Sequence, residues 1–274
     1  MIIAMDTILL SSAAILLYVT SSILLSLRMV RGPDGLTIRK NPILLIGIAA
    51  VAVHAFLLYG DLFTRAGLNL GFTNATSLVT WLIALLLLVS AFSRPVESLG
   101  VILLPIAAVA ILFGLFYPSK HLITEAGQWR LDLHIVISIL AYSLLSLAAV
   151  QAILLAVQER QLRTRRLGAV IRALPPLQTM EGLLFRMIWS GFLLLSLALL
   201  TGFLFLEDMF AQHLVHKTVL SIFAWGIFGV LLWGRARFGW RGRTAIRWTL
   251  AGFVALMLAY FGSKAVLEFI LNRP

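Results

Sequence analysis

The chain contains no cysteine among its 274 residues. Without a thiol it can form no disulfide, no CxxC metal site and no cysteine-ligated iron–sulfur cluster, and it cannot exchange thiols itself. Charged side chains are also scarce, at 12% of residues, whereas a soluble domain carries roughly a quarter. That leaves too little polar surface to cover a water-soluble globule, so the bilayer must be the solvent for most of the chain.

Apolar residues dominate instead, at 61% of the chain with a mean hydropathy of +1.01. Only helices and closed barrels satisfy every backbone polar group in lipid. Barrel strands alternate over roughly ten residues, whereas this sequence has unbroken apolar runs of about twenty, the length of a spanning helix. We predict a single all-α membrane domain, 1–274, with about eight spans at roughly 6–27, 43–61, 75–92, 98–116, 134–157, 184–206, 216–234 and 245–270.

Basic residues are concentrated in the links that follow the first, third, fifth and seventh spans. These links and their flanks hold 16 of the 22 lysines and arginines. The positive-inside rule places them in the cytoplasm, so both termini are expected outside it, in a multi-pass protein of the inner (plasma) membrane. The same rule, with attraction to anionic lipid, explains the net charge of +11 without nucleic acid. The basic stretch 160–172 has no aromatic residue on which a base could stack.

Five histidines are the candidate ligands. His121, His134, His213 and His216 fall on the predicted outer side, and His54 lies within the second span. Neutral imidazole is a common axial ligand of haem iron, although other metals accept it too and loop histidines are often only polar surface residues. No tight metal-binding spacing occurs among them.

His54 has two interpretations. An ionisable residue inside a span indicates function, but a neutral histidine can simply bond a neighbouring helix. Asp61 lies seven residues later, about two helical turns along the same face, and could orient the ring.

Three segments in the second half of the chain carry a family resemblance: LDLHIVISILAYSLLSLAA at 131–149, HKTVLSIFAWGIFGVLLWGR at 216–235, and GWRGRTAIRWTLAGFVALMLAYFGSK at 239–264. They are similar to the membrane proteins of cytochrome c assembly, the haem-handling superfamily that includes CcsA, CcmC and CcmF. The first half resembles that family in span pattern only. The resemblance points to the shorter YpjD-like and HemX-like branch.

The resemblance implies haem as cofactor, with His134 at the family's outer ligand position. His216, or alternatively His213, could supply a second ligand, and His54 could lie below them. The chain also departs from the family. The Trp-rich WWD loop is missing, because 205–216 reads FLEDMFAQHLVH; Trp233 replaces the inner histidine; and no histidine follows the last helix.

Three functions follow as hypotheses. The first is a haem-binding or haem-handling protein associated with c-type cytochrome assembly, which presents the cofactor to other assembly proteins without catalysis of its own. The second is a non-enzymatic regulator or scaffold on the same fold, HemX-like, acting through its basic links. The third is a small transporter using His54 and Asp61 as a relay, although the paired broken helices that mark such sites are missing.

Overall fold

The computed structural model describes residues 2–31, 39–64, 67–118, 122–123, 129–164, 174–205 and 215–262. Within these ranges it has eight α-helices: α1 (Ile2–Arg31), α2 (Lys40–Leu62), α3 (Phe72–Ser93), α4 (Gly100–Phe116), α5 (Trp129–Arg163), α6 (Leu177–Phe205), α7 (Val215–Phe238) and α8 (Gly242–Met257). Helices α1 to α7 each contain a stretch long and apolar enough to cross a bilayer. The prediction of an all-α, polytopic membrane fold is confirmed.

The eighth predicted span is described only in part. Helix α8 continues as a π-helical turn over Leu258–Gly262, and the remainder of the predicted span, 263–270, lies outside the described residues. The side of the membrane on which the termini lie stays a prediction. The single domain over 1–274 also stays a prediction. By their contacts the helices form two compact units, one of 1–124 with 167–175 and one of 125–166 with 176–274.

In the first unit α1 packs against α2 and α4, and α3 packs against α2 and α4. A hydrogen bond next to a proline in α4 joins α1 to α4. Pro105 has no N–H, so the carbonyl of Val101, one turn earlier, loses its helical partner. The Ser22 hydroxyl of α1 donates to that oxygen at 3.1 Å. Because lipid offers no alternative donor, this serine satisfies a carbonyl that the proline leaves open.

Short strands accompany the helices of the first unit. They are β1 (Phe63–Thr64), β2 (Gly67–Asn69) and β3 (Leu122–Ile123), paired antiparallel in the order β1-β2-β3. Gly67, where β2 begins, has a φ of 129°, which a residue with a side chain rarely adopts.

In the second unit α5 packs along α6 and α8, and α7 contacts α6 and α8. Glycine allows the closest approach between α5 and α6. A Cβ atom on Gly191 would lie 2.7 Å from Cγ and Cδ2 of Leu145, a fully buried side chain. Small residues at such contacts let membrane helices pack through dispersion forces, which matter most where lipid removes the hydrophobic driving force.

Ion pairs join α6 to the corner between α7 and α8. Glu181 of α6 contacts Arg235 of α7 at 2.9 Å and Arg241 of the corner at 3.7 Å. Arg235 also donates to the carbonyl of Trp240 at 3.1 Å. Gly239 has a φ of 67°, which favours glycine at this turn. The GWRG sequence therefore forms a defined corner that starts α8.

Candidate functional site

His134 lies on α5, half-buried, on a face that meets α6. Its Nδ1 atom is 3.1 Å from the hydroxyl of Thr201, on α6. That hydroxyl has two carbonyl acceptors in the preceding turn of its own helix, Leu197 at 2.8 Å and Ala198 at 3.1 Å, to which it donates its single proton. With that proton engaged within α6, we assign the threonine oxygen as the acceptor and Nδ1 as the protonated ring nitrogen, which donates to Thr201.

This tautomer leaves Nε2 of His134 with a lone pair. The Ser138 hydroxyl, one turn further along α5, is 3.5 Å from Nε2, at the outer limit of a hydrogen bond. Metal-bound histidines usually donate their second ring N–H to a neighbouring acceptor, which fixes the tautomer and orients the ring. The Thr201 contact gives His134 that arrangement.

An aromatic and cationic group lies one turn before His134, where α5 begins. Trp129 packs edge-on against Phe205 of α6, with ring centroids 5.8 Å apart. The guanidinium of Arg130 lies 5.6 Å from the Trp129 ring and 5.8 Å from the Phe205 ring. Arg130 is exposed and precedes His134 by four residues, so both side chains lie on one face of α5. An imidazole, a cation and two apolar rings thus share one end of the second unit.

His54 has a different environment, in the first unit. The side chain is 1% exposed. Its Nδ1 atom is 3.2 Å from the hydroxyl of Tyr18 on α1, and its Nε2 atom is 2.8 Å from the hydroxyl of Ser77 on α3. Donation by the buried tyrosine to Nδ1 makes Nε2 the N–H donor to the serine. Both ring nitrogens therefore have protein partners, and His54 connects three helices.

The suggestion that Asp61 orients His54 was wrong. Seven residues of helix rise by about 10 Å, too far for the two side chains to meet. Asp61 is exposed, and its backbone carbonyl accepts a hydrogen bond from the side chain of Asn74 at 3.3 Å. The partners that hold the ring come from other helices instead.

The other histidines leave the ligand set incomplete. His216 is the second residue of α7, but its side chain is not described, and His121 and His213 lie outside the described residues. The assignment of His216 or His213 as a second ligand stays a prediction, as does that of His54. In the ranges that the structure covers, no three His, Asp or Glu side chains are grouped closely enough to hold a metal ion.

Comparison with known proteins settles the family. The family model described as "Cytochrome C assembly protein" matches residues 43–271. The chain belongs to the cytochrome c assembly protein family. The inner membrane protein YpjD of Escherichia coli K12 is 34% identical to it over 229 residues, covering 81% of this chain and 85% of YpjD. The resemblance to this family is confirmed, and the protein is a multi-pass protein of the inner membrane.

Two further relatives bear on function. The protein HemX of Brevibacillus brevis is 23% identical over 162 residues, covering 57% of this chain and 60% of HemX. The cytochrome c biogenesis protein CcsA of Gloeobacter violaceus is 27% identical over 101 residues, covering 36% of this chain and 30% of CcsA. No solved structure matches the chain.

The residues that hold the two histidines were not predicted from the sequence. Thr201 is the single hydroxyl residue in the apolar run LALLTGFLF, 197–205, and its position within a span was a usable signal. Tyr18 and Ser77 lie 36 residues before and 23 residues after His54. Their pairing depends on how α1, α2 and α3 pack, which no local pattern contains.

Proposed function

We propose that this member of the cytochrome c assembly protein family binds haem, with Nε2 of His134 as an axial ligand, and presents it for c-type cytochrome assembly. The observation that carries the proposal is the hydrogen bond from His134 Nδ1 to Thr201 at 3.1 Å. This hydrogen bond orients the imidazole and leaves the lone pair on Nε2, the atom that would ligate a haem iron. CcsA, a distant relative, is described as a cytochrome c biogenesis protein.

The residues around His134 suit the cofactor. The rings of Trp129 and Phe205 offer apolar edges to a porphyrin, and the exposed guanidinium of Arg130 could pair with a propionate, because guanidinium binds carboxylate in a fork geometry. When bound, haem would supply the iron that the imidazole ligates and that a c-type cytochrome needs. The protein's part would be to bind, orient and release it, so we propose no catalytic reaction for this chain.

The two hydrogen bonds of His54 support a structural role, since ligation would require breaking one of them inside the bilayer. We therefore place the proposed site at His134 and keep His216 as the candidate second ligand. Both residues belong to the second unit.

The test measures haem that co-purifies with the protein in mild detergent from haem-supplied cells, read from the Soret absorption per mole of protein. We expect His134→Ala to lose the bound haem. Thr201→Val keeps the shape of the side chain and removes the acceptor, and second-shell changes of this kind typically weaken metal affinity about 10- to 100-fold. Thr249→Val in α8 is the control, because Thr249 likewise donates to a carbonyl one turn earlier in its own helix, that of Ala245, at 2.7 Å.

The outcomes separate the alternatives. Haem retained in His134→Ala at the wild-type level would reject this ligand. No haem in the wild-type protein, although it is folded and haem is abundant, would reject the cofactor and favour a non-enzymatic regulator or scaffold. The similarity to HemX, spread over 162 residues, is the observation that keeps this second function open.

A further inference from the structure

A basic cavity lies in the second unit, where α5 ends and α8 begins. Its volume is about 180 Å³. Its walls combine charged and apolar side chains from the two helices: Ala156, Glu159, Arg160, Arg243, Ile246 and Arg247. It is separate from the His134 site, which lies near the opposite end of α5, more than twenty residues earlier in the same helix.

The charges in this cavity do not balance. Glu159 is its one carboxylate, and it already contacts Arg243 at 3.3 Å and Arg163 at 3.8 Å. Arg160 and Arg247 also line the cavity and are exposed. Within the part of the chain that the structure describes, neither forms a salt bridge with a carboxylate. Two guanidiniums are therefore available to an anion.

The start of α8 adds to the positive potential. The first four N–H groups of a helix have no partner within it, and they carry a partial positive charge. Gly242 begins α8, and a Cβ placed on it would lie 3.8 Å from Oε2 of Glu159, beside the cavity. The helix start thus offsets part of the negative charge of Glu159, and the cavity keeps a net positive charge from its arginines.

The cavity also has an apolar part. Ile246 is buried and Ala156 is half-buried, and both line the cavity beside the arginines. α5 is a spanning helix whose last turns carry Arg160 and Arg163, as expected where a span leaves the hydrocarbon. A ligand that fits has a phosphate for the guanidiniums and acyl chains for the apolar side.

We propose that this cavity binds the phosphate headgroup of an anionic phospholipid. Guanidinium matches phosphate in a bidentate geometry, and basic pockets between membrane helices are known sites for anionic lipid headgroups. A bound lipid would compensate Arg160 and Arg247 and connect α5 to α8. The proposal does not depend on haem binding.

The experiment titrates the detergent-purified, full-length protein with dioleoyl-phosphatidylglycerol and counts bound lipids by native mass spectrometry. The test variant is Arg160→Gln with Arg247→Gln. Arg186→Gln with Arg237→Gln is the control, because both of those arginines are exposed in the second unit, neither lines the cavity, and the change in net charge is equal. Dioleoyl-phosphatidylcholine and inorganic phosphate are the comparison ligands.

Each basic residue near a membrane surface contributes about fivefold to anionic lipid affinity. We expect the test variant to lose about 30-fold in phosphatidylglycerol affinity on that basis, and the control variant to bind like wild type. Glu159→Gln should bind more tightly than wild type, because it removes the competing carboxylate. A merely structural role for Glu159 would not raise the affinity.

Three results would overturn the proposal. The first is equal loss of phosphatidylglycerol binding in the test and control variants, which would indicate attraction to net charge alone. The second is equal affinity for phosphatidylcholine, which lacks the net negative charge. The third is inorganic phosphate competing fully with the lipid at matched concentration, which would identify a soluble anion as the ligand. Circular dichroism and gel filtration verify that each variant is folded.

Discussion

The carbonyl that Pro105 leaves open in α4 provides a sharp test of how the first unit is held together. Ser22 of α1 donates to this oxygen, on Val101, at 3.1 Å. In Ser22→Ala the oxygen loses that donor. In Pro105→Ala the new N–H can bond Val101 within α4, so the serine becomes dispensable. The two substitutions should therefore not be additive.

The magnitude follows from the cost of an unmade hydrogen bond. Such bonds between membrane helices contribute about 0.6 kcal/mol on average and about 1.7 kcal/mol at most. Ser22 is 5% exposed, so water cannot replace it. We expect Ser22→Ala to destabilise the protein by about 1 kcal/mol in the wild-type background and by close to zero when Pro105 is alanine.

The assay is reversible unfolding in mixed detergent and dodecyl sulfate micelles, with the four proteins of the cycle measured together. Ser21→Ala is the control. Ser21 also donates to a helix carbonyl, that of Ile43, at 3.1 Å, but no proline is involved. Its cost should be the same in both backgrounds. An equal cost of Ser22→Ala with and without Pro105 would refute the reasoning.

Three further substitutions test the packing and the buried histidine, by the same unfolding assay. Gly191→Ala would place a methyl group 2.7 Å from Leu145 Cγ, and overpacking of this kind destabilises by about 1–3 kcal/mol. Gly182→Ala, in the same helix but with open space around the new methyl group, should instead stabilise the protein by up to about 1 kcal/mol through helix propensity. Equal changes in stability for the two variants would contradict the close packing at Gly191. Tyr18→Phe leaves Nδ1 of His54 without its donor and should cost about 1 kcal/mol without lowering haem retention. A loss of haem there would contradict a structural His54.

The helices were predictable because lipid enforces a simple rule. Apolar runs of about twenty residues must be helical in a bilayer, and the seven candidate spans occur where those runs lie. The ends were less predictable. We expected the fifth span at 134–157, but α5 runs over Trp129–Arg163. Hydropathy detects only the part in lipid, whereas the polar ends persist as helix through contacts such as that of Glu159 with Arg163.

The candidate site was predictable only in part. The residue His134 came from a family resemblance, and the family is confirmed. The orientation of His134 by Thr201 depends on how α5 packs against α6. The pattern of apolar spans carries no information on that packing. For His54, the sequence allowed either function or a hydrogen bond to another helix, and the contacts to Tyr18 and Ser77 come from residues remote in sequence.

The most direct test of the proposed haem site is chemical rescue at His134. The His134→Gly variant is purified without haem, haem is added, and the absorption spectrum is recorded with and without imidazole. If Nε2 of His134 is the axial ligand, the variant alone should give the spectrum of free haem in detergent, and imidazole should restore the wild-type Soret band. A wild-type spectrum without imidazole, or no response to imidazole in a folded variant, would contradict the assignment.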